Sequence, residues 1–103
     1  MERLQFKFAA GQPAASRTVT GVVASGDLEV LLEPQAGGIT NVAVQTSVDG
    51  YGGTWTALLE RVFADPALPA AKIEINDNGA TPGVVRMRIE QAFEEAALGG
   101  QQP

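Results

Sequence analysis

One serine and three carboxylates lie within a short stretch, Ser25-Gly26-Asp27-Leu28-Glu29, with Glu33 four residues further on. An alcohol beside acids is raw material either for nucleophilic chemistry or for covalent attachment of a group through an ester. Nucleophilic use needs a base to take the hydroxyl proton, and that base is most often histidine. The chain contains neither histidine nor cysteine. Ser-His-Asp triads, thiolate nucleophiles, zinc fingers and iron–sulfur ligation are therefore excluded. Glu29 and Glu33 alternate with Leu28, Val30 and Leu32, which puts them on the polar face of a strand with no second group to tune either for acid–base work. Two readings of Ser25 remain. Ser, Gly and Asp favour turns on backbone grounds alone, and an exposed hydroxyl on a tight corner is also open to a modifying enzyme.

Two further stretches have the outline of a ligand site. "EINDNG", from Glu74 to Gly79, matches the opening of an EF-hand loop, but its twelfth position is Val85 where calcium needs a bidentate glutamate. A strand running into a turn is the expectation there. "DGYGGTW" precedes a helix and resembles a phosphate cradle only loosely. Trp55 occupies a position that a dinucleotide loop keeps small, and no P-loop lysine follows. No metal site is expected.

The positioning elements follow from periodicity. Leu4, Phe6 and Phe8 alternate with Gln5 and Lys7, which is the spacing of a half-buried strand. "RTVTGVVA" reads as a second strand because of its β-branched residues, Leu28 to Glu33 as a third, and the alternation around Val42, Val44, Thr46 and Val48 as a fourth. A helix then begins at Thr54 or just before it, with Trp55, Leu58, Leu59, Val62 and Phe63 on one side, and stops before Pro66. Lys72 to Asn76 returns to strand period, and "NDNGATPG" reads as a turn. Thr81 and Pro82 are an N-cap and a first helical residue. The last helix carries an apolar stripe of Val85, Ile89, Ala92, Phe93 and Ala96, with Arg86 placed to pair with Glu90.

These elements predict an α+β fold, a two-layer sandwich of an about five-stranded, mostly antiparallel sheet with two helices on one face. The fourth strand, first helix and fifth strand form a β-α-β unit able to add one parallel pair. With 103 residues, a single domain over 1–98 and a C-terminal tail over 99–103 are expected. Hydrophobic residues make up 45% and charged residues 18%, as in a globular chain. A net charge of −5 and seven scattered basic residues argue against nucleic acid. No apolar run reaches membrane-spanning length. Charges at Glu2, Arg3 and Lys7 interrupt the N-terminal apolar residues where a secretory signal has a continuous run, so a cytoplasmic location without a membrane partner is expected.

"VVASGDLEVLLEP", "TSVDG" and "INDNGATPGVVRMRIEQAFEEA" together resemble the small acyl carrier, or delta, subunit of bacterial malonate decarboxylase over nearly the whole chain. The resemblance implies a non-catalytic carrier. Ser25 would hold 2′-(5″-phosphoribosyl)-3′-dephospho-coenzyme A through a phosphodiester, making the chain a phosphoprotein, with Gly26 and Asp27 as the supporting corner. A phosphopantetheine-type group of this kind would supply the thiol that the chain lacks. In the family's cycle the thiol is acetylated, malonate displaces acetate to give the malonyl thioester, and loss of carbon dioxide restores the acetyl thioester. The implied partners are the carrier transferase and decarboxylase subunits of the complex, a malonyl transferase, and the phosphoribosyl-dephospho-coenzyme A transferase. Ala24, where the pattern has glycine, and Asn78, where it has an aromatic, depart from it. Two alternatives are a citrate lyase-type carrier and an interaction module in which "SGD" is only a turn.

Overall fold

The structure, a computed structural model, describes residues 1–99. Five strands and two helices follow one another as β1 (Glu2–Ala9), β2 (Thr18–Gly21), β3 (Asp27–Pro34), β4 (Ile39–Thr46), α1 (Gly52–Val62), β5 (Ala71–Asn78) and α2 (Pro82–Ala97). They form one sheet in the order β1-β4-β5-β3-β2. Every neighbouring pair is antiparallel except β4 and β5, which run parallel through the α1 crossover. The expected α+β sandwich with a mostly antiparallel sheet is thus the fold of the chain. Of the tail expected over 99–103, residues 100–103 lie outside the described residues.

Alternation decides which face is covered. Leu28, Val30 and Leu32 of β3, Val42 and Val44 of β4, and Ile73 and Ile75 of β5 are all buried on the helix side. Arg3, Gln5 and Lys7 of β1 and Lys72 and Glu74 of β5 face away from it and are exposed. α2 packs over β3 and β2, burying Val85, Ile89, Ala92 and Ala96 of the stripe that its spacing predicts, with Phe93 half-buried at its margin. α1 contributes Trp55 and Leu59, and Phe63 follows at its carboxyl end, also buried. An aromatic chain joins the layers: Phe8 of the edge strand stacks on Phe63 with centroids 4.9 Å apart, and Phe63 meets Phe93 of α2 edge-on at 6.0 Å.

The ends of β2 and β5 differ from the periodic reading, each for a local reason. β2 stops at Gly21, so the strand expected through Ala24 is shorter, and Val22 and Val23 are 56% and 58% exposed. Gly21 has φ of +82°, and a Cβ there would lie 2.1 Å from the Leu28 carbonyl oxygen, so only glycine fits and the chain swings off the sheet. β5 instead runs on to Asn78, through residues whose composition reads as a turn. Asp77 stays on the inner face there because Thr46 Oγ1 donates to its Oδ2 at 2.8 Å and the Ala80 amide to its Oδ1 at 3.0 Å. α1 begins at Gly52, just before Thr54 as its spacing predicts.

Candidate functional site

The chain leaves β2 at Gly21 and re-enters the sheet at Asp27, and Ser25 stands exposed on the turn between them. Three backbone hydrogen bonds shape this corner. The Ala24 amide donates to Val22 O at 3.0 Å, the Asp27 amide to Ala24 O at 2.9 Å, and the Gly26 amide to Asn78 O at 2.8 Å. The last of these ties the turn to the end of β5. Gly26 has φ of +76°, and nothing lies within 4 Å of where its Cβ would stand, so open space borders Ser25. Ala24 needs no glycine: no non-glycine residue among those described has a positive φ. Asn78 uses its side chain as well, accepting from Ser47 Oγ at 2.8 Å.

Asp27 has a specific partner on α2. Arg88 Nη2 donates to Asp27 Oδ2 at 2.7 Å and Arg88 Nε to Oδ1 at 3.1 Å, a two-bond ion pair whose side chains are 23% and 21% exposed. The Leu28 amide also donates to Oδ1, at 2.7 Å. The Arg88 hydrogen bonds, and after them the Leu28 amide, hold the Asp27 carboxyl below its ordinary value, and Asp27 in turn raises Arg88. The other carboxylates of the stretch lie apart from the serine's turn. Glu29 accepts from Asn76 Nδ2 at 3.1 Å on the open sheet face, and Glu33 lies 3.7 Å from Arg17 at an exposed site. None of them is placed as a base for Ser25.

The calcium-like stretch resolves into strand and turn, as expected. Glu74, Asn76 and Asn78, at loop positions one, three and five, are spread along one face of extended β5 at about 7 Å per step, so they do not curl around a single ion. Among the described residues no cluster of His, Cys, Asp or Glu could hold a metal ion. The glycine stretch before α1 has no side-chain cap. It borders a cleft of about 310 Å³ between the amino ends of the two helices, lined by Val48, Tyr51, Trp55, Leu58, Thr81 and Val85 among others. No described helix is long and apolar enough to cross a membrane.

The structure thus gathers Ser25, Gly26 and Asp27 at one corner and adds Arg88. Arg88 lies 61 residues from Asp27 in sequence, and nothing in "VRMRIE" separates it from Arg86, which forms the expected exposed pair with Glu90 at 3.6 Å. Only the packing of α2 across β3 shows which arginine turns inward.

Comparison with known proteins supplies the family. The sequence model described as "Malonate decarboxylase delta subunit (MdcD)" matches residues 15–96. The malonate decarboxylase acyl carrier protein of Pseudomonas aeruginosa (strain LESB58) is 62% identical over 96 residues, 93% of this chain and 97% of its own. That of Azotobacter vinelandii is 56% identical over 97 residues, 94% and 98% of the two chains. A chain in the crystal structure of a Pseudomonas malonate decarboxylase hetero-tetramer in complex with malonate superposes with a TM-score of 0.89 at 55% identity, covering 93% of this chain and 99% of that one. With an exposed serine corner on a sheet backed by two helices, and with relatives matched along almost its whole length, the chain belongs to the malonate decarboxylase delta subunit family, the acyl carrier proteins of that complex.

Proposed function

We propose that the chain carries acetyl and malonyl groups for a cytoplasmic malonate decarboxylase on 2′-(5″-phosphoribosyl)-3′-dephospho-coenzyme A, joined to Ser25 by a phosphodiester. The observation that carries this reading is an exposed serine hydroxyl on a fixed, glycine-opened turn in a chain with no thiol of its own. The residues present fit such a group. Open space beside Gly26 leaves room for a bulky substituent, and Arg88 neutralises the Asp27 carboxylate two residues along the chain. When bound, the group supplies the thiol on which acyl groups ride as thioesters. The chain's own residues provide an anchor, a rigid base and a compensated local charge. On this reading acyl transfer and decarboxylation fall to neighbouring subunits. The partners are accordingly the transferase and decarboxylase subunits, a malonyl transferase that loads the carrier, and the transferase that attaches the group.

Co-expression with a phosphoribosyl-dephospho-coenzyme A transferase should add one prosthetic group to the wild type by intact mass, and none to Ser25→Ala. The variant should fold, since an exposed hydroxyl contributes within about 0.5 kcal/mol. Reconstituted with the remaining subunits, it should support no malonate decarboxylation. A modified alanine variant, or turnover of malonate by an unmodified complex, would overturn the assignment.

A further inference from the structure

Both ends of the Ser25 turn meet one side chain of α2. Arg88 lies against Gly21, the last residue of β2, so closely that a Cβ on Gly21 would stand 3.2 Å from its Cδ and its Nε. Its guanidinium then grips Asp27, the first residue of β3, through the paired bonds of 3.1 and 2.7 Å. Gln91, one turn further along α2, accepts from Arg88 Nη1 at 3.1 Å and fixes the other side of the fork. Toward the far end of the same helix, Thr18 and Thr20 of β2 donate to Glu95, and Ser16 Oγ donates to Ala96 O at 2.7 Å. α2 therefore holds the β2–β3 hairpin near its tip and again near its base.

We propose that Arg88 is a positioning residue for the modification of Ser25: by gripping Asp27 and covering Gly21 it fixes both ends of the turn and presents the serine hydroxyl in one orientation to the attaching enzyme. The inference rests on reading Ser25 as the attachment site. In that step Ser25 Oγ bonds to the phosphorus of a phosphoanhydride-activated donor. The phosphoanhydride P–O bond breaks, the distal phosphates leave, and the hydroxyl proton passes to a base of the attaching enzyme or to water. Attack on phosphorus is sensitive to alignment, and misplacement by about 1 Å can cost about a hundredfold. Arg88 also removes a free negative charge from the path of an anionic donor. Its loss therefore has a geometric and an electrostatic component, and the two can be separated.

The test is the rate of modification of the purified chain by the transferase and its activated donor, for wild type, Arg88→Gln, Arg88→Lys, Asp27→Asn and the double variant Arg88→Gln/Asp27→Asn. Arg86→Gln serves as a control for an exposed arginine on the same helix. Arg88→Gln should lower kcat/KM for the carrier by about tenfold to a hundredfold, with the loss deepening at low ionic strength as the freed Asp27 repels the donor. Arg88→Lys restores the charge without the two-bond fork and should recover part of the rate. Adding Asp27→Asn to Arg88→Gln should recover the salt-dependent part, a coupling that general destabilisation would not produce. Arg86→Gln should match wild type. Amide relaxation in the unmodified chain should show Ser25 and Gly26 becoming more mobile in Arg88→Gln.

Folded Arg88→Gln and Asp27→Asn chains modified at the wild-type kcat/KM would overturn the proposal, as would a loss matched by the unfolded fraction alone. If Arg88→Gln does not fold, the near-isosteric Asp27→Asn decides by the same measurements. A wild-type chain left unmodified overturns the Ser25 reading and this one with it. A wild type modified at Ser25 beside unaffected variants overturns only the role of Arg88.

Discussion

Asp27 receives two hydrogen bonds from Arg88 and one from the Leu28 amide, and all three favour its charged form. Its native carboxyl therefore titrates below the ordinary value of 3.8, with Arg88 as the larger cause. A lowered native pKa means that the unfolded chain takes up this proton more readily. The stabilisation is thus present above the ordinary carboxyl value and is lost as pH falls through the lower native one. Asp27→Asn should be less stable than wild type in urea at neutral pH, and the gap should close in acid below that value. A gap independent of pH would show that the charge on Asp27 adds nothing. At this scale the sequence displayed Ser25, Gly26 and Asp27 plainly, because a turn is written in adjacent residues. Arg88 was hidden, because a contact across 61 residues is set by where a helix lands and leaves no local mark.

The second helix begins where its signals say it should. Thr81 has extended backbone angles, its Oγ1 accepts from the Val84 amide at 3.4 Å, and Pro82 fills the first turn. That hydrogen bond is long and exposed, so Thr81→Ala should cost about 0.5 to 1 kcal/mol, the lower part of the range for an N-cap. Equal midpoints in urea for the two chains would remove the cap from the account. Helices and long strands were legible because their apolar period is sustained over several turns or pleats. The ends of β2 and β5 were not. β-branched Val22 and Val23 carry the composition of a strand, yet the positive φ of Gly21 turns them out of the sheet. Asp77 carries the composition of a turn, yet Thr46 and the Ala80 amide satisfy it inside. One glycine's backbone at the first place, and two hydrogen bonds at the second, outweigh the composition of the stretch.

Across the whole molecule, two helices close one face of the sheet and the other face stays open, with Arg3, Gln5, Lys7, Lys72 and Glu74 exposed on it. Leu59 of α1 is fully buried in the core between the layers. Leu59→Ala should cost about 2 to 5 kcal/mol, as buried leucine truncations do, with a clear fall in thermal midpoint. The layer count and the parallel β4–β5 pair were both readable from the order of elements. The strand order β1-β4-β5-β3-β2 was not, since alternation gives a strand its inner face but not its neighbour. That order also has a consequence in time. A ribosome releases Ser25 early, but the carbonyl that anchors its turn belongs to Asn78 and the guanidinium that grips it to Arg88. The corner acquires its form only after nearly the whole chain has emerged and β5 has slotted between β4 and β3. If Ser25 is the attachment site proposed above, an enzyme that recognises the shape of this corner would be blind to nascent and truncated copies, and attachment would be confined to chains whose synthesis and folding are already finished.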